Sequence, residues 1–333
     1  MRAFVCSMLL ALAAAFAQQS LPLDPLPPNT VAIIGVNLAA LRGSAIGQSI
    51  MAELKEDKRL PEKARDAIAG IDEILIARPS GRNQRQNGLV LMKMSCREDS
   101  MTVLLGDRQP TVSSWSGTRV MTVIREGQPF SIACLKPDIV AGGDPESLKW
   151  ALGRRIGGRT LSPDLASAAA VLRSSHDIWL VANANMSELA SQLPQQQAAA
   201  LAKAPLVQAI RQISGGAKLS NGINIAMNIT AKTAQDAETM AGGMMMFAGM
   251  LKSNPKQAKQ YAPLLESLNI AAHGETMEMS LHLTEQQLAA ISSQVRSRPG
   301  ASAVAATPVR QPQATGEIKV YSSEKDMGVV TLP

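Results

Sequence analysis

The chain has 333 residues, 46% of them hydrophobic and only 3% aromatic, with 33 basic against 27 acidic residues and a formal net charge of +6. The apolar fraction suffices for real cores, whereas so few aromatics argue against a stacking groove for nucleic-acid bases or sugars. The mild basic excess implies no nucleic-acid partner by itself.

The chain opens on "MRAFVCSMLLALAAAFAQQS". Arg2 precedes an uncharged apolar run, and Ala15, Phe16 and Ala17 form a small-x-small cleavage pattern, so 1–17 reads as a secretory signal peptide. The run is shorter than the ~20 residues of a bilayer span, and no transmembrane segment is expected after cleavage. The mature chain then starts near Gln18, with 32 basic and 27 acidic residues and a net charge of +5. Its length exceeds the usual ~100 to 200 residues of one domain, which predicts two domains plus tails. With Cys6 removed, Cys96 and Cys134 remain, either bridged or as two partly buried thiols.

A proline-rich leader, "LPLDPLPPNT", completes 18–30 and is expected to be extended. "VAIIGVNL" is a strongly apolar strand, and 42–70 reads as helical, with Pro61 opening a second helix. "IDEILIAR" and "GLVLMKM" are strands joined by the polar loop "PSGRNQRQNG". After a short segment around Val103, "RVMTVIR", "FSIACL" and "DIVAGG" are further strands, and Asp144 and Pro145 start a helix running to about Arg155.

The second half repeats this plan. "DIWLVANAN" matches "VAIIGVNL" when Asn183 is laid on Asn37, and "GINIAMNI" matches "GLVLMKM". "IACLKPDIVAGGDPESLKWAL" and "IAAHGETMEMSLHLTEQQLAAI" both read strand, turn, strand, capped helix, with Thr284 to Gln287 as a capping box. The prediction is an α+β protein of two related modules, 31–159 and 160–296, each a mostly antiparallel sheet with helices packed on it. An Ala/Pro/Ser/Gly-rich stretch at 297–316 reads as a disordered linker, and 317–333 as a terminal segment with two short β-like runs.

The most unusual stretch is "AETMAGGMMMFAGMLK". On a helix beginning near Thr233, the side chains of Ala237, Met240, Met244, Phe247, Ala248 and Leu251 share one face, a core stripe. Only Met240 and Met244 of the methionines converge and no histidine or cysteine is near, which does not make a soft-metal site. The expected arrangement is a sandwiched helix with little exposed methionine. His176, His273 and His282 lack a second ligand at metal spacing. No G-x-S-x-G, P-loop, G-x-G-x-x-G or C-x-x-C occurs, so no catalytic, cofactor-binding or metal-binding residue is assigned.

Two basic clusters remain. Arg78, Arg82 and Arg85 sit where a hairpin tip could touch an anionic surface of the cell envelope, or be simply solvated. Lys149, Arg154, Arg155 and Arg159 gather at a helix end, where cations offset the dipole.

"LPPNTVAIIGVNLAALRGSAIGQSI" and "ISGGAKLSNGINIAMNITAKTAQDAETMAGGMMMFAGML" resemble segments of uncharacterised exported bacterial proteins with a G-V-N-type first strand and a helix carrying S-x-x-G-Q, here Ser44, Gly47 and Gln48. The resemblance implies export and fold and brings no activity or cofactor. The leading expectation is a non-catalytic periplasmic or secreted protein that binds or scaffolds an envelope or extracellular partner. The other class is a hydrolase or isomerase with its site between the modules. Polar residues converging in a deep cleft would favour the enzyme; a shallow apolar or basic surface would favour binding.

Overall fold

The structure, a computed structural model, describes residues 20–57, 62–80, 88–106, 108–153, 161–184, 205–220, 222–253, 262 and 264–288. The expected signal peptide, Arg82, Arg85, Arg154, Arg155, Arg159, and the expected linker and terminal segment lie outside them. By its internal contacts the chain divides into two compact units, Met1–Glu285 and Gln286–Pro333, and all the elements named below belong to the first.

Strand β1 (Thr30–Asn37) runs into α1 (Leu38–Gly43), α2 (Ala45–Glu56) and α3 (Glu62–Ala69). Next come β2 (Glu73–Pro79), β3 (Leu89–Lys93), α4 (Glu98–Leu105), β4 (Thr111–Trp115), β5 (Thr118–Arg125), β6 (Gln128–Lys136), β7 (Ile139–Gly143) and α5 (Pro145–Gly153). The chain continues through α6 (Pro163–Ser175), β8 (Ile178–Asn183), α7 (Pro205–Gln208), β9 (Ile210–Lys218) and β10 (Ile223–Ala231). It ends with α8 (Ala234–Ser253), β11 (Leu268–His273) and β12 (Thr276–Leu283).

The strands form one antiparallel sheet in the order β11-β12-β10-β9-β8-β1-β2-β3-β7-β6-β5-β4, so the fold is α+β with a large antiparallel sheet. From the central pair, β1 is followed outward by β2, β3, β7 and β6, and β8 by β9, β10, β12 and β11. The hairpin β4–β5 is extra on the first side.

Local chemistry sets the joints. Asn37 Oδ1 accepts from the Ala40 N–H at 2.9 Å and begins α1; Ser44 Oγ accepts from the Gly47 N–H at 2.9 Å and begins α2. A Cβ on Gly47 would overlap the Leu41 carbonyl, so the S-x-x-G of the sequence is a cap plus a close helix–helix joint. The β5–β6 turn places Glu126 at φ 48° and Gly127 at φ 74°, the positive-φ pair that a tight hairpin requires. Asp144 Oδ1 accepts from the Ser147 N–H at 2.9 Å and opens α5.

Call the sheet face bearing Ile33, Leu75 and Trp179 the front. There α5 and α6 bring Leu148, Leu165 and Leu172 into one core with β1–β3 and β5–β8. The proline-rich leader is not loosely extended: Leu21 and Leu26 are each 1% exposed in that same core. The Leu21 N–H donates to Glu73 Oε2 at 2.8 Å, and Arg173 donates to Glu73 Oε1 at 2.6 Å, so one buried carboxylate ties leader, β2 and α6 together. Front packing is tight enough that a Cβ on Gly35 would overlap the Trp179 indole.

On the back face, the segment around Val103 is helix α4. It packs Met101 and Leu105 on Met92, Met121, Ile132 and Val140. Cys96 and Cys134 are joined by a disulfide with Cα atoms 5.9 Å apart, which fastens the start of α4 to β6. Further along the same face, α8 seats Ala237, Met240 and Ala241 on Ala231 and Met277.

Candidate functional site

In an antiparallel sheet, the apolar side of an alternating pattern belongs against the core and the polar side faces water. Strands β9 to β12 obey the alternation. Their front side carries Gln212, Ser214, Lys218, Asn224, Asn228 and His282, with cross-strand contacts such as Gln212 Nε2 to Asn183 Oδ1 at 3.0 Å. Their back side is apolar along the rows that follow.

Register extends that back side across β1 and β2. Met279, Met227, Gly215, Leu180, Ile34 and Ile76 are successive cross-strand partners, one row running over six strands without a polar side chain. The neighbouring row is Leu281, Ile225, Ala217, Ile178, Val36 and Ile74. The row on the other side is Met277, Ile229, Ile213, Ala182 and Ala32, and it ends on Arg78. Partners in direct register project to the same face, so these rows make one surface.

That surface is only half covered. Ile34, Ile76, Leu180 and Met227 are 36% to 39% exposed and join none of the three buried clusters. On the back face, α4 packs over β3, β5, β6 and β7, while α8 packs beside β10 to β12. Between them the floor from β10 to β2 spans four strand spacings, roughly 19 Å. Each flanking helix is about 10 Å across, so the floor lies in a trough rather than on a flat plane.

Helix α8 departs from the sequence expectation. The wheel points the predicted stripe toward the sheet, yet only Ala237, Met240 and Ala241 are buried. Met244 is 36% exposed and Phe247 51%, and outward-facing Met246 reaches 67%. Ala248 and Leu251 are half-buried. The stripe fades because α8 meets the sheet by its first two turns only. Among the described residues no helix sandwiches it, and a Cβ on Gly242, Gly243 or Gly249 would meet nothing within 4 Å. The result is a methionine-rich apolar surface beside the trough.

Of the predicted contact residues, Arg78 is exposed at the end of β2, on the same face as Ile76. The histidines are dispersed. His176 Nδ1 lies 2.8 Å from Ser175 Oγ, His282 lies against Asn224, and His273 ends β11. Among the described residues, no three His, Cys, Asp or Glu side chains are grouped to hold a metal. No helix among them is long and apolar enough to cross a membrane.

Two shallow clefts carry polar side chains. One, between α6 and the front of β9–β10, is lined by Asp164, Ser167, Ser214 and Asn228. The other, about 430 Å³, lies where Ser44 and Ala45 face Lys218, Ser220 and Glu285. Its acid Asp177 is buried and committed, accepting from Lys218 Nζ and from the Leu219 N–H, both at 2.8 Å. Neither lining contains a histidine or cysteine to activate a nucleophile. The trough has no sequence motif; its signal is the apolar alternate positions of β9, β10 and β12 read together with β1, β2 and β8, which are apolar on both faces.

No protein-family model matches the chain, and no curated protein matches it. Among solved structures, crystal form IV of TP0453 is similar with a TM-score of 0.49 at 9% identity, over 84% of this chain and 99% of that one.

Proposed function

We propose that the protein is a non-catalytic, exported binding protein, and that the trough on the back of its sheet is where it binds. The carrying observation is the half-exposed apolar row Met227, Leu180, Ile34 and Ile76, in register on the back of the sheet and outside all three buried clusters. Contiguous apolar surface of this kind marks a binding site in soluble proteins. The apolar character of the surface is what the binding reading requires, and the committed Asp177 and dispersed histidines offer an enzyme reading nothing comparable.

Export rests on the Arg2-to-Ala17 pattern, together with the resemblance to exported proteins bearing the G-V-N strand and S-x-x-G-Q helix. N-terminal sequencing of the secreted form should read from near Gln18, and recovery of uncleaved cytoplasmic chain would sink that part. Duplication is the remaining part of the proposal. The matched segments fall on β1 and β8, on β3 and β10, and on β6–β7 and β11–β12, which hold equivalent places in the outward strand order. On this reading β4–β5 is an insertion in the first copy, and the trough floor straddles the junction of the two.

The test is a neutral fluorescent apolar probe, N-phenylnaphthylamine, titrated into the full exported chain. Saturable binding is expected, weakened at least about tenfold by Ile34→Thr with Leu180→Thr, substitutions that keep strand propensity. Absence of binding, or unchanged binding in a folded double variant, would refute the assignment.

A further inference from the structure

Helix α8 presents a second apolar surface, on the side turned away from the sheet. We infer that this side pairs two copies of the chain, α8 against α8 and antiparallel, about a two-fold axis beside Met245.

A helix that is apolar on all its sides belongs in a core. From Thr239 to Leu251 α8 carries no charge, yet the sheet takes only its first two turns. Ala237, Met240 and Ala241 mark the side against the sheet, and at 100° per residue Met246 stands nearly opposite them, with Met245 and Met250 to either side. Met246, Met245 and Met250 are 67%, 52% and 54% exposed. This outward side is distinct from the trough floor and independent of what that floor binds.

Charge selects the partner. Glu238 and Lys252 bound the apolar stretch and lie on one flank of the helix, because the 14 residues between them are close to four turns. Both are exposed, and among the described residues neither has an ion-pair or hydrogen-bond partner. About 21 Å of helix separates them, too far for one to reach the other. An antiparallel second helix reverses the ends, and a two-fold rotation brings each flank against the same flank of the mate. The Glu238 carboxylate of each copy then lies beside the Lys252 ammonium of the other.

Shape gives the same register. Met245 is midway between Glu238 and Lys252, and the midpoint of Gly242 and Gly249 falls between Met245 and Met246. Joining the charges therefore seats Met246 of each copy against the gap between Gly242 and Gly249 of the other. A Cβ on either glycine would meet nothing within 4 Å, so that gap is open, and the helix axes can approach to about 8 Å.

Other occupants match less of this. A helix that lies on a membrane carries Lys and Arg along its polar face, whereas α8 has Lys252 as its one basic residue, against Asp236 and Glu238. An unrelated protein would have to reproduce an acid, a base and an apolar knob at matching intervals; a second copy has them by symmetry. The contact is one helix long, about 30 Å, which is small for a stable interface, so the dimer should be reversible.

Sedimentation velocity of the full exported chain, as a concentration series up to about millimolar, tests the pairing. A reversible monomer–dimer equilibrium is expected. Met246→Lys sets two cations near the axis and should weaken the dimer at least about tenfold. Lys252→Glu should weaken it about threefold or more, and Glu238→Lys with Lys252→Glu should restore it, circular dichroism showing each variant folded. Monomer throughout the series overturns the inference, as does a dimer unchanged by Met246→Lys. A double exchange that dimerises no better than Lys252→Glu alone overturns the antiparallel register. Monomers that pellet with phosphatidylglycerol vesicles, and cease to do so with Met246→Lys, would replace the second copy by a membrane.

Discussion

Arg173→Met probes the device that ties the leader to the folded sheet. The side chains of Arg173 and Glu73 are 16% and 12% exposed and approach to 2.6 Å, with Glu73 also accepting from the Leu21 N–H. Removing the guanidinium leaves a carboxylate in a largely apolar surround with a single backbone donor. Breaking one side of such a buried pair costs about 3 to 5 kcal/mol, a large part of the roughly 5 to 15 kcal/mol that holds a domain folded. Urea unfolding followed by circular dichroism should show the stability falling by that amount. Adding Glu73→Gln to Arg173→Met should recover part of the loss, because the uncompensated charge is gone. A loss below about 1 kcal/mol for Arg173→Met, or no recovery in the double variant, would refute the claim that this carboxylate depends on its partner.

Other predictions concern covalent and packing terms. Cys96→Ser with Cys134→Ser releases a bridge of sequence separation 38 and should lower stability by about 4 kcal/mol in the loop-entropy account, read from the urea midpoint. Met240→Ala should cost about 2 to 5 kcal/mol and Met246→Lys less than about 0.5, since only the first is buried; equal costs would contradict the orientation of α8. Gly35→Ala should destabilise by about 1 to 3 kcal/mol through the Trp179 ring, and Gly35→Ala with Trp179→Leu should lose less than the sum of the two single changes.

The strands with clean punctuation were legible in the sequence. "FSIACL" and "DIVAGG" end on turns, and Asp144 with Pro145 marks a helix start in one dipeptide. Elements set by tertiary context were not. Strand β4, "TVSSW", is polar because it is a sheet edge, and α6, "PDLASAAAVLRSS", has small side chains that blur any helical stripe although Leu165, Ala169 and Leu172 are buried. Strand β9 contains Gly215 and Gly216, which weaken a strand pattern but are required here: a Cβ on Gly215 would overlap the Ala226 carbonyl. The leader's burial was hidden because Leu21 and Leu26 have no periodicity of their own; Glu73 and Arg173, 52 and 152 residues away from Leu21, decide it. The α8 stripe had the correct direction and the wrong extent, since a wheel gives the angle of Met244 and Phe247 but not how far the sheet continues beneath them. The trough depends on the lateral order of six strands, and in sequence its members are separated by up to 245 residues, from Ile34 to Met279.

The central claim is that Leu180 lies on an open apolar floor while Ile33, one strand away on the opposite face, lies in a closed core. Native-state labelling of Leu180→Cys and Ile33→Cys with a fluorescent maleimide, the Cys96–Cys134 bridge left intact, compares them directly. The thiol introduced at position 180 should react at close to the rate of an accessible thiol and be protected by N-phenylnaphthylamine, while the thiol at position 33 should react only after unfolding. Equal protection of both positions in the absence of any probe would mean that the back of the sheet is closed, and the binding site would have to be sought elsewhere.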